Sequence, residues 1–177
     1  GGFAGATDNS PLRANKGSHY EGGIRVPLIV SGPGILSGEV SDTPVITNDL
    51  YPTLLSRLGV EVENQPELDG VDLSPVLDGS GSLLERPLFW HYPHYNRHPQ
   101  NAPVSIIREG DWKLIEFLAQ DRVELYDLAA DIGEENDIST DHPDTVASLR
   151  KTLETWRDDV GAEPMRPNPF FNPDKEP

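Results

Sequence analysis

The pattern of the chain changes near Arg86, and that change limits its folds more than any other feature. Between Arg86 and Tyr126, short β-rich runs alternate with turn residues. Pro87-Leu88-Phe89-Trp90-His91-Tyr92, Pro103 to Glu109, Trp112 to Leu118 and Val123 to Tyr126 each suit a strand, and Gly110-Asp111 fits a tight hairpin turn. Connections this short predict about four antiparallel strands. A helix follows, with Pro143 in its first turn. Val146, Leu149, Leu153, Trp156 and Val160 recur at three- and four-residue steps until Gly161 ends it. One apolar stripe packed on four strands predicts a small α+β subdomain, trailed by an extended Pro- and Asn-rich terminus to Pro177.

The acidic, glycine-rich segment Leu77 to Glu85 is the natural boundary, dividing the chain into residues 1–82 and 83–177. The first part reads as the edge of a larger α/β unit. Leu28-Ile29-Val30-Ser31, bounded by Pro27 and by Gly32-Pro33-Gly34, predicts a buried strand. Asn48 or Asp49 can cap a helix in which Pro52 occupies the first turn and Gly59 the stop. Leu50, Leu54, Leu55 and Leu58 share one face of that helix and are expected in the core. Turns at Asp69-Gly70 and Asp78-Gly79 surround a short helix starting near Ser74-Pro75.

Thirty acidic residues against 14 basic ones give a formal charge of −16, which argues against nucleic acid or an anionic membrane surface as partner. No apolar run approaches the roughly 20 residues of a membrane span. Without cysteine, these residues offer no disulfide, thiolate metal site or thiol nucleophile. The chain begins at Gly1-Gly2-Phe3 without a starting Met and reads as part of a longer protein.

Against that negative field, the cations of one loop stand out. Asn15 to Pro27 carries Lys16 and Arg25, with Gly17, Gly22 and Gly23 between them and Arg13 just before. Glycines let a backbone close around a small ligand, and a lysine point charge with an arginine fork suits a tetrahedral oxyanion. The plainer alternative is a glycine-rich connection in which Arg25 pairs with Glu21 or another carboxylate. A second candidate is His91-Tyr92-Pro93-His94-Tyr95-Asn96-Arg97-His98-Pro99. Histidine donates protons near neutral pH, and tyrosine and arginine suit sugars, so His91 or His94 is expected to touch substrate. The alternatives are a polar surface loop or a transition-metal site, and Pro93 disfavours the latter by interrupting helical pairing. Asp8-Asn9 has oxygen ligands but reads as loop capping, so no metal ligand is assigned.

The run Pro11-Leu12-Arg13, Lys16-Gly17 and Tyr20-Glu21-Gly22-Gly23-Ile24-Arg25-Val26-Pro27 closely resembles the signature of the type I, formylglycine-dependent sulfatases. The match continues through Asp49 to Leu55, Leu68 to Leu73, Gly110 to Ile115 and Glu124 to Leu128, covering only the C-terminal part of that family's architecture. The resemblance implies an alkaline-phosphatase-like α/β edge followed by the α+β subdomain, and hydrolysis of sulfate esters. It implies a formylglycine nucleophile outside this chain and a bound calcium whose main ligands lie upstream of Gly1. It gives Lys16 the role of holding a sulfate oxygen, Arg13 that of an outer substrate contact, and Arg25 with Glu21 that of shaping the loop. A similar His-Tyr-Pro-His-Tyr stretch lies near the pocket mouth in many carbohydrate-type sulfatases. The expected partners are a sulfated small molecule or glycan and the remainder of the sulfatase domain, in a periplasmic or secreted protein. Two other readings are a phosphoesterase of the same superfamily and a non-catalytic binding or assembly module.

Overall fold

Side chains that alternate between Leu88 and Asp127 must build a sheet with two distinct faces. The computed structural model describes residues 2, 3 and 5–166. Its elements in chain order are α1 (Glu21–Ile24), a 3-10 turn (Thr47–Asp49), α2 (Leu50–Leu58), α3 (Ser74–Asp78), β1 (Leu88–Tyr92), β2 (Val104–Glu109), β3 (Trp112–Phe117), β4 (Arg122–Asp127) and α4 (Pro143–Asp159). The strands form one antiparallel sheet in the order β1-β2-β3-β4. The predicted strands and C-terminal helix are thus present, with boundaries shifted by a residue or two. Gly110, at φ +57°, takes the first turn position between β2 and β3, which a side chain would strain. The predicted extended tail from residue 167 lies outside the described residues.

The chain divides into two compact units, one of Gly1–Val26 with Pro87–Pro177 and one of Pro27–Arg86. Within this chain, residues 1–26 therefore cluster with the sheet, not with the segment that follows them. In the first unit, Leu149 and Leu153 of α4 pack on Ile107, Leu114 and Leu125. Phe89 stacks on Trp156 at 4.7 Å between ring centroids. Val160 follows the end of α4 and is exposed, so the apolar stripe stops at Trp156. The opposite face carries Val104, Ile106, Ile115, Phe117 and Tyr126, and its cover is Tyr20 with Ala14 and Ile24. The sequence predicted one cover for the sheet; the structure has two.

The second unit is held by a polar clasp. The carboxylate of Asp49, fully buried, accepts the N–H groups of Ile46 at 2.9 Å and Val71 at 3.0 Å and pairs with Arg86 at 2.5 Å. Thr53 donates to the Asp49 carbonyl at 2.6 Å and accepts from the Leu73 N–H at 2.9 Å. A Cβ on Gly70 would sit 2.1 Å from the Asn48 carbonyl oxygen, so the Leu68–Leu73 motif needs a glycine for close approach.

Two expectations fail in this unit. The Leu28–Val30 run forms no strand, and Ile29 is 89% exposed. On α2 the buried residue is Thr53, while Leu50, Leu54 and Leu58 are exposed, Leu58 at 72%. A strand needs a hydrogen-bonded neighbour and an apolar stripe needs an opposing face. Among the described residues of this unit neither is supplied.

Candidate functional site

The glycine pair after Glu21 exists because two backbones cross there. The Gly22 N–H donates to the Arg13 carbonyl at 2.8 Å. A Cβ on Gly22 would lie 2.4 Å from the carbonyl oxygens of Arg13 and Ala14, and one on Gly23 would lie 2.1 Å from that of Ser18. Residues 13–25 thereby fold into a tight loop ending in the single turn of α1.

A buried charge cluster fastens this loop to the sheet. Lys113 of β3 donates from Nζ to Glu21 at 2.9 Å, to Glu134 at 2.7 Å and to the His19 carbonyl at 3.3 Å. The second oxygen of Glu134 accepts the Glu21 N–H at 2.6 Å. Lys113 and Glu134 are wholly buried. Burial pushes the Glu134 carboxyl above its ordinary range, against the attraction of Lys113. Arg25 lies 3.8 Å from Glu21 and is half exposed. Glu21 thus shapes the loop, with Lys113 as its nearer partner.

Arg13 is turned inward. Its Nη1 donates to the Tyr126 hydroxyl at 3.0 Å and the Glu134 carbonyl at 2.6 Å, and its guanidinium carbon lies 3.7 Å from the Tyr20 ring centroid. Tyr20 and Tyr126 both donate to one oxygen of Glu124, at 3.0 and 2.9 Å. Burial, followed by the charge of Glu124, raises the pKa of both phenols, which stay protonated. The structure therefore gives Arg13 Nη1 two internal partners, Tyr126 and the Glu134 carbonyl.

Lys16 is different. Its side chain is exposed and makes no hydrogen bond or ion pair among the described residues, while its N–H donates to the Gly2 carbonyl at 2.9 Å. The loop after β1 reaches the two residues beside it. His98 Nε2 meets Asn15 Oδ1 at 2.9 Å, and the amides of Asn96 and Asn101 donate to the Gly17 carbonyl at 3.0 and 3.3 Å. The structure thus joins the Lys16 loop to the histidine loop through His98, which the sequence reading left without a role.

His91 and His94 are placed otherwise. His91 points to the α4 face, where Nδ1 meets Ser105 Oγ and Nε2 donates to the Glu163 carbonyl, both at 2.8 Å. It lines an open cleft of about 660 Å³ together with Glu116, Phe117, Arg122, Arg150 and Arg157. Arg157 and Arg150 pair with Glu116 at 2.5 and 2.9 Å. Burial pushes Glu116 up, but the two arginines outweigh it and hold the carboxyl below its usual range. His94 is exposed and edge-on to Tyr92 at 5.6 Å.

His19 is buried with no partner for either ring nitrogen among the described residues, packed on Tyr20 and edge-on to Phe117 at 5.3 Å. Burial depresses its pKa from 6.5 to about 4. A depressed histidine contributes stability above pH 6.5 that is lost as pH falls towards 4, because the unfolded chain takes up the proton first. Replacing His19 by Phe is expected to flatten that acid limb, read from denaturation midpoints of the full-length protein between pH 4 and 7. An unchanged limb in His19→Phe would disprove this assignment.

These loops carry the motifs on which likeness to other proteins rests. Residues 14–159 match the family model for the C-terminal region of N-sulphoglucosamine sulphohydrolase. The chain belongs to the sulfatase family. A sulfatase of Formosa agariphila is 36% identical over 172 residues, a match covering 88% of this chain and 31% of that protein. Among solved structures, Ps i-CgsB bound to k-i-k-neocarrahexaose superposes with a TM-score of 0.68 at 30% identity, over 84% of this chain and 32% of that one. A protein solved with its substrate D-glucosamine-2-N,6-O-disulfate gives a TM-score of 0.56 at 29% identity, over 68% and 25% of the two chains. The chain thus spans about a third or less of the length of these relatives.

Proposed function

We propose that this chain forms the C-terminal part of an enzyme that hydrolyses sulfate esters, with a sulfated sugar as its substrate class. The observation that carries this reading is Lys16. In a chain of charge −16, its ammonium stays exposed and, among the described residues, uncommitted on a loop fixed on both sides. An ammonium so placed can hold a sulfate oxygen and oppose the negative charge that grows as the ester C–O–S linkage breaks. Family membership supports sulfate over other anions, and the disulfated glucosamine held by one structural neighbour supports a sugar carrier.

The family implies calcium and a formylglycine nucleophile, and the residues here do not fit either. There is no cysteine and no serine in a Ser-x-Pro-x-Arg run, and the described residues contain no group of three or more His, Asp or Glu side chains able to hold a metal. Asp8 caps the Ser10 N–H at 2.8 Å, while Asn9 bonds Gly2 and Ala14, so that pair closes a loop. Nucleophile and metal would come from the remainder of the sulfatase domain, which we propose also covers the exposed faces of Leu28–Val30 and α2. The full-length protein is expected to release sulfate from an aryl sulfate and from glucosamine 6-sulfate faster than phosphate from an aryl phosphate. Equal or faster phosphate release would overturn the reading in favour of a phosphoesterase.

A further inference from the structure

The geometry points to His98 as a positioning residue for Lys16, with Asn96 and Asn101 completing the device; the inference rests on the sulfate-ester reading of the Lys16 loop. A lysine side chain has four rotatable bonds and loses much entropy when confined, so it is aimed chiefly by where its backbone is held. Here both neighbours of Lys16 are held, Asn15 through its side chain and Gly17 through its backbone carbonyl. His98 holds Asn15, the preceding residue, and the Asn96 and Asn101 amides hold the carbonyl of Gly17, the following one.

The grip is internally determined. His98 Nδ1 accepts the Gln100 N–H at 3.1 Å, which leaves the ring proton on Nε2, the nitrogen facing Asn15 Oδ1 at 2.9 Å. Asn96 Oδ1 accepts the His98 N–H at 2.7 Å, and Asn101 Oδ1 accepts the Asn96 N–H at 2.9 Å. Asn101 also donates its own N–H to the His98 carbonyl at 3.0 Å. Each of the three gripping side chains thus accepts a backbone N–H of its own loop, His98 from Gln100, Asn96 from His98 and Asn101 from Asn96. Gly17 adopts φ +100°, and a Cβ there would come within 3.1 Å of His98 Cβ, so the two loops meet at close range. These contacts give the third histidine of the loop a task distinct from those of His91, tied to Ser105, and His94, exposed beside Tyr92.

The test uses the full-length enzyme on an aryl sulfate, with and without Lys16. His98→Ala is expected to lower kcat about 10–100-fold, as misplacement of a charge by about an ångström does, with a smaller change in KM. His98→Gln, which keeps an N–H donor near the Nε2 position, is expected to recover most of the loss. In a Lys16→Ala background, His98→Ala should cost about twofold or less, because its effect runs through the missing ammonium. Losses that multiply in both backgrounds, or no loss in the first, would overturn the positioning role. So would a His98→Gln variant as impaired as His98→Ala. Wild-type turnover separates the two levels: an inactive wild type overturns the sulfate-ester reading and this inference together, whereas an active wild type with multiplying losses overturns this inference alone.

Discussion

Lys113→Met in the full-length protein is expected to cost about 3–5 kcal/mol of folding stability, the range for removing one partner of a buried ion pair. Lys113 has no exposed surface, and its ammonium is shared by the carboxylates of Glu21 and Glu134 at 2.9 and 2.7 Å. Methionine is of similar length and fills the space, so the loss isolates the charge from the packing. Glu134 already adopts φ +51°, an unfavourable conformation for a residue with a side chain, held in place by these buried bonds. Denaturant unfolding, followed by tryptophan fluorescence, gives the measurement. The deficit should also depend on pH. Burial already raises the Glu134 carboxyl, and losing the ammonium raises it further. A carboxyl whose folded pKa is raised contributes stability at low pH that is lost as pH rises through that pKa. The variant should therefore fall furthest behind the wild type at pH 8 and recover part of the difference near pH 5. An equal deficit at both values would show that packing, not charge, is what Lys113 supplies.

That Lys113 fastens the loop bears on what could be read from the sequence. The strands were legible because alternation leaves a mark: Ile107, Leu114 and Leu125 meet α4 as the period-two pattern requires. The same rule sets Lys113 on one face with Ile115 and Phe117, the face covered by Tyr20, so its inward position was available from the pattern. Lysine reads as surface, however, and nothing local announces that Glu21, 92 positions away, and Glu134 will meet it. The cover formed by residues 11–25 was hidden for the same reason. Its Gly22-Gly23 pair looks like flexibility, whereas the structure uses it for backbone contacts too close for a methyl group. Proximity in sequence also leaves partners unseen. Arg13 lies three residues from Lys16, and its contacts to Tyr126 and the Glu134 carbonyl come from the far part of the chain. For Leu28–Val30 and α2, the apolar pattern states what these residues can cover, while exposure depends on whether a partner is present. The histidine loop has no periodicity at all, so only coordinates could separate His98 from His91 and His94.

Lys16→Ala in the full-length enzyme is expected to reduce kcat for sulfate-ester hydrolysis by about 10²–10³-fold, the range for deleting one group that stabilises developing oxyanion charge. The expectation follows from a contrast between cations in the same stretch. The Arg13 guanidinium is committed to the sheet, and Arg25 lies beside Glu21. Among the described residues Lys16 has no ion pair, and no carboxylate of theirs offsets its charge. Since the exposed Lys16 side chain makes no hydrogen bond or ion pair among the described residues, its removal should leave the melting temperature within a few degrees of wild type, unlike Lys113→Met. The two variants thus separate the tasks of one loop: Lys113 loss is read in stability, Lys16 loss in turnover. Lys16→Arg tests the geometry further. It keeps the charge but replaces a compact ammonium by a broad planar fork, and at a site shaped for one oxygen it should recover only part of the rate. Full activity in Lys16→Ala would remove this residue from the reaction and leave the loop a structural element, whatever the enzyme hydrolyses.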